Sequence, residues 1–113
     1  MKLDFKSERD RLYVKIHGEI DLSVAADLRQ DLDQNLDKKQ ARHLILDFTE
    51  VSFIDSSGLG VILGRYKRLT EIGGTVQICG VNDQIEKILE LSGFGRIMKI
   101  SPQGSKKSHG TSF

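Results

Sequence analysis

The sequence predicts an α/β domain: a mixed, mostly parallel sheet of four to five strands, opened by an N-terminal hairpin and continued through β-α crossovers. Three observations point there. Apolar residues alternate with polar ones over Leu12–Val14–Ile16 and Leu44–Leu46–Phe48, the period of strands with one buried face. Apolar residues recur at helical spacing over Ala25–Leu28–Leu32–Leu36, Leu59–Ile62–Leu63–Tyr66 and Ile85–Ile88–Leu89. The two periods succeed one another as strand, strand, helix, strand, helix, strand, helix, and that alternation gives right-handed parallel crossovers.

In chain order, Leu3 and Phe5 alternate with charged neighbours, and Ser7-Glu8-Arg9-Asp10 supplies a turn into the second strand. Gly18-Glu19-Ile20-Asp21 ends that strand, and Asp21 or Ser23 can cap the helix that follows. Lys38-Lys39 lie at that helix's end, where the dipole favours cations. His43 to Phe48 is the best candidate for the sheet centre. The second helix follows Asp55-Ser56-Ser57 and ends before Gly73-Gly74; each of those three polar residues can cap it. Thr75 to Cys79 is the next strand, and Asn82 or Asp83 caps a third helix. Gly93 suits a left-handed C-terminal position with Phe94 packing back, and Ile97 to Ile100 reads as a short edge strand. Residues 1–100 form the expected domain. From Ser101 to Phe113 the segment is polar and lacks any period, which predicts a disordered tail.

Composition narrows the function. The chain has 113 residues, with 17 Lys plus Arg against 16 Asp plus Glu, so no basic excess suggests nucleic acid as a partner. One cysteine, Cys79, suits a reducing compartment and a small core position. No apolar run predicts a membrane span, and the charged start does not read as a signal peptide, so a cytoplasmic protein is expected. His17, His43 and His109 lack ligand spacing, so neither a metal nor another cofactor is expected. Gly58, Gly60 and Gly64 are spaced one residue too long for a dinucleotide fingerprint, and close backbone packing is the expected reason for them. Asp47 receives no role.

Parallel strands place every strand-to-helix corner at one edge of the sheet. Gly18–Asp21, Asp55–Gly58 and Gly80–Asp83 should therefore share a rim that carries Glu19, Asp21, Asp55 and Asp83. Ser56 and Ser57 could be no more than caps there. No Gly-x-Ser-x-Gly elbow surrounds Ser56, and His17 stands at the end of a strand with no reason to be aimed at it, which argues against a serine hydrolase.

The run Phe53-Ile54-Asp55-Ser56-Ser57-Gly58-Leu59-Gly60-Val61-Ile62-Leu63-Gly64-Arg65-Tyr66-Lys67 closely resembles the signature of the STAS domain of anti-sigma-factor antagonists. Gly18-Glu19-Ile20-Asp21 and Leu91-Ser92-Gly93 match two further elements, so the resemblance covers about residues 1–100. It implies the STAS fold and a regulatory rather than enzymatic role. It places phosphorylation at Ser56 and partner contacts at Glu19, Asp21, Asp55, Ser57, Gly58 and Leu59. The partner it implies is an anti-sigma factor that is also a serine kinase, with a serine phosphatase acting on the phosphorylated form and neither nucleic acid nor membrane involved. Sporulation-type and general-stress-type antagonists share this logic. A ligand-sensing STAS module is a third possibility.

Overall fold

The computed structural model describes residues 1–104. The elements run β1 (Lys2–Glu8), β2 (Arg11–Ile20), α1 (Leu22–Lys39), β3 (His43–Ile54), α2 (Ser56–Thr70), β4 (Thr75–Val81), α3 (Asp83–Leu91), a 3-10 turn (Phe94–Arg96) and β5 (Lys99–Pro102). The sheet order is β1-β2-β3-β4-β5; β1 and β2 are antiparallel, and the other pairs are parallel. The expected α/β sheet with its opening hairpin is therefore what forms. The strand order advances in one direction, so right-handed crossovers put α1, α2 and α3 on the same face.

That face holds the main core. Leu12, Val14, Ile16, Leu44, Leu46, Phe48, Val76 and Ile78 of the sheet pack with Leu28, Leu32, Leu36, Ile62, Leu69, Ile85 and Leu89 of the helices. The opposite face carries a small cluster of Tyr13, Ile45 and Cys79, to which no helix contributes. Asp47 is buried on β3 and its Oδ1 accepts from Thr49 N and Thr49 Oγ1, at 2.9 and 2.8 Å.

Three expectations about the elements and their bounds need correction. β3 does not stop at Phe48 but continues to Ile54, because it keeps pairing with β2 after its ladder with β4 has ended at Asp47–Cys79. The buried stripe of α2 is Gly58, Val61, Ile62, Arg65 and Leu69, while Leu59, Leu63 and Tyr66 flank the core half-buried. Periodicity misplaced that stripe because it counted only apolar residues, and an arginine occupies its middle. Finally, β5 runs through Pro102 and Gln103 N donates to Val81 O at 2.9 Å, so the fold passes the boundary set at residue 100. Residues 105–113 of the expected tail lie outside the described residues.

The glycines divide by what surrounds them. A Cβ at Gly74 would lie 1.8 Å from the Arg42 carbonyl oxygen, since the start of β4 is pressed against the start of β3. Gly74→Ala should cost about 3 kcal/mol or more in chemical denaturation, as backbone rather than a side chain must move. Gly64 has open space around its Cβ direction and sits inside α2. Close packing is thus not its role, nor that of Gly60, which is equally open. Gly64→Ala should gain about 0.5–1 kcal/mol from helix propensity, read in the same experiment.

Candidate functional site

β2 and β3 end together, with Glu19 beside Phe53 and Ile20 beside Ile54. The register shifts once between Lys15 and His17 and again between Gly18 and Glu19, where Gly18 takes φ +97°. A helix leaves from each strand end. Asp21 caps α1, its Oδ1 accepting from Ser23 N at 3.0 Å and Ser23 Oγ at 2.6 Å. Asp55 caps α2, its Oδ1 accepting from Ser57 N at 2.9 Å and Gly58 N at 3.2 Å. Both caps keep the extended backbone that frees a short side chain to reach forward.

The two corners are fastened to each other. Asp55 N donates to Ile20 O at 3.1 Å. Gly58 lies under Ile20, where a Cβ would meet Ile20 Cγ2 at 2.7 Å, Ile54 Cγ1 at 2.8 Å and Ile20 O at 2.9 Å. Gly58 is therefore buried and fixes the corner from beneath, the close packing expected of it. Ser56, the first residue of α2, is exposed, with Ser57 and Leu59 half-buried behind it and Glu19 exposed at the end of β2. The amides of Ser57 and Gly58 already serve Asp55, so Ser56 bears its hydroxyl beside an occupied cap.

The third corner stands apart from these two. Asn82, not Asp83, caps α3 by accepting from Ile85 N at 2.8 Å, and its Nδ2 lies 3.5 Å from Val51 O. A Cβ at Gly80, at φ +75°, would crowd Thr49 Cγ2 at 2.5 Å. Asp83 thus begins its helix alongside Thr49 and Val51, set back along β3 from Ile54. The site is the pair of corners after β2 and β3.

Apolar residues that the sequence reading passed over complete the surface. Leu22 is 76 % exposed and Phe53 40 % exposed, directly after Asp21 and before Ile54. Leu22, Ala25, Ala26 and Arg29 of α1 face Ser57, Gly60 and Val61 of α2 across a groove of about 320 Å3. Arg29 adds a cation to the lining of this groove. Leu22 was recognisable in principle, being a large apolar residue off the Ala25–Leu28–Leu32 stripe.

Lower down, an ion cluster joins the two helices. Arg65 Nε and Arg68 Nη1 each lie 3.1 Å from Asp33 Oδ1, and Arg68 Nη2 also bonds Asp37. Arg65 is nine-tenths buried, and among the described residues its Nη1 lacks a hydrogen-bond partner. Burial pulls its pKa below the usual guanidinium value while Asp33 opposes the shift. Asp33→Ala would leave that cation without its counter-charge and should cost about 2 kcal/mol, less than for a fully buried pair because Asp33 is one-third exposed. Arg65→Met, which removes the charge and keeps apolar bulk, should stay within about 1 kcal/mol of the parent. Thermal unfolding of the two variants separates these outcomes.

The geometry defines a class: an α/β domain whose distinctive feature is a serine-bearing, aspartate-capped corner at the sheet rim. Residues 2–105 match the STAS domain, and the chain belongs to that family. It is 36 % identical over 100 residues to the anti-sigma F factor antagonist of Paenibacillus polymyxa, covering 88 % of this chain and 86 % of that protein. It is 30 % identical over 101 residues to the anti-sigma-B factor antagonist of Bacillus subtilis, covering 89 % and 91 %. Its fold is shared with the anti-sigma factor antagonist SpoIIAA, solved in its unphosphorylated form, at a TM-score of 0.71 and 19 % identity over 94 % of this chain and 92 % of that one. Among the described residues, no helix is long and apolar enough to cross a membrane.

Proposed function

We propose that this chain is an anti-sigma factor antagonist governed by one phosphate on Ser56. In the unphosphorylated state the rim of Glu19, Asp21, Asp55, Ser57 and Leu59 binds an anti-sigma factor and frees the sigma factor it held. The partner is also a serine kinase that works in the cytoplasm: Ser56 Oγ attacks the γ-phosphorus of ATP, ADP leaves, and the hydroxyl proton passes to a carboxylate of the kinase. The chain contributes the acceptor and performs no catalysis itself. A serine phosphatase hydrolyses the ester and restores the binding form.

The observation that carries this reading is an exposed Ser56 at the first position of α2, held against β2 by the Asp55 N–Ile20 O bond. A phosphate there adds about −1.5 to −2 charges. It arrives next to the Asp55 carboxylate, which already occupies the Ser57 and Gly58 amides. The helix dipole tolerates the anion, so the fold survives. A partner fitted to a neutral hydroxyl meets added bulk and like charge. The F-type antagonist of P. polymyxa supports the sporulation-type branch, with the general-stress type as the alternative.

Incubation with an F-type anti-sigma kinase and ATP, followed by mass-spectrometric mapping, tests the assignment. One phosphate on Ser56, absent from Ser56→Ala, is expected. Phosphate on Ser57 or another residue, or none with any F-type or B-type kinase, would refute it.

A further inference from the structure

The two edges of the sheet are built differently. β5 is four residues long and ends in Pro102, a short edge of the kind that discourages further pairing. β1 is seven residues long, pairs with β2 without a bulge and contains no proline. The two-residue connection at Arg9–Asp10 makes Glu8–Arg11 the hydrogen-bonded pair that closes the hairpin. Alternation along the ladder then turns the N–H and C=O of Leu3, Phe5 and Ser7 outward, toward the open edge. Phe5 is 38 % exposed there.

The side chains of the other register, Lys2, Asp4, Lys6 and Glu8, lie on the sheet face away from the helices and alternate in sign. That pattern is self-complementary in one antiparallel register. With Phe5 opposite Phe5 of a second copy, Lys2 faces Glu8 and Asp4 faces Lys6, each twice. A slip of two residues one way sets Lys2 against Lys6 and Asp4 against Asp4. A slip the other way sets Asp4 against Glu8 and Lys6 against Lys6. Parallel in-register pairing opposes like charges throughout. An edge protected by charge alone would need only one sign; this one repels the wrong registers and accepts the symmetric one.

We propose that β1 is a homodimer interface: two copies join edge to edge about a two-fold axis through Phe5 and form one continuous ten-stranded sheet. Leu3, Phe5 and Ser7 supply the backbone hydrogen bonds, and the four charged residues select the register. The arrangement is isologous and closes on itself, so no open polymer results. The rims carrying Ser56 point in opposite directions from this axis and both stay accessible, so the inference does not depend on the proposed phosphate switch.

Sedimentation equilibrium of the full chain from low micromolar to near-millimolar concentration tests it, with charge exchange at two exposed positions, Lys2 and Glu8. The parent should dimerise. K2E and E8K should each weaken the dimer about tenfold by setting like charges opposite at two symmetric places, and the K2E/E8K double variant should recover it. Circular dichroism checks that all four proteins are folded. A parent that stays monomeric throughout, single variants that dimerise like the parent, or a double variant that fails to recover would each overturn the proposal.

Discussion

Ser56→Asp should weaken binding to the anti-sigma partner by about tenfold or more, and phosphoserine at the same position by two to three decades. The larger figure corresponds to roughly 3–4 kcal/mol of lost interaction. The difference between them follows from charge and size, since a carboxylate brings a single charge on a shorter stem and phosphate nearly two. Ser56→Ala should bind within a few-fold of the parent and never acquire phosphate, because the cap is made by Asp55 and not by Ser56. Titration calorimetry of the four forms against one partner preparation reads the whole series. Equal affinity for parent and phosphoprotein would separate the modification from binding.

The second large effect belongs to Gly58. Any side chain there meets Ile20 Cγ2, Ile54 Cγ1 and the Ile20 carbonyl oxygen, all closer than 3.0 Å. Gly58→Ala should therefore destabilise the fold by about 2–4 kcal/mol, as overpacking against backbone does. It should also weaken partner binding beyond what unfolding explains, because the same contact sets the α2 corner against the end of β2. Pairing it with Ile20→Ala removes the Ile20 side-chain clash and leaves those with Ile54 Cγ1 and the Ile20 carbonyl oxygen. That double variant should recover little, since it adds a cavity where a fully buried isoleucine stood. Urea denaturation at matched partner-binding conditions measures both effects. Full recovery in the double variant would show that the Ile20 side chain alone sets the spacing.

These two residues show what the sequence made legible. Asp-Ser-Ser-Gly between a strand pattern and a helix pattern located the corner, because capping is local chemistry and leaves local marks. The succession of strands and helices, with parallel crossovers after an opening hairpin, followed from alternating periods. Gly58 was visible as a glycine, but its neighbour Ile20 lies 38 positions earlier in the chain, and only tertiary structure brings them together. Arg65 stayed hidden for a related reason: its burial depends on Asp33 of another helix, and no period of apolar residues registers an arginine. The displaced third corner came from unequal strand lengths, with β3 running past the end of β4. Strand ends are set by pairing partners more than by the strand's own residues.

Comparison of backbone amide NMR spectra before and after Ser56 phosphorylation tests the central idea most directly. Local blockade predicts shifts confined to Glu19–Leu22, Phe53–Leu59 and the facing groove residues of α1, with β1, β4, β5 and α3 unmoved. Shifts spread through the sheet and the distant helices would mean that the phosphate rearranges the fold, and would contradict a switch worked at the rim alone.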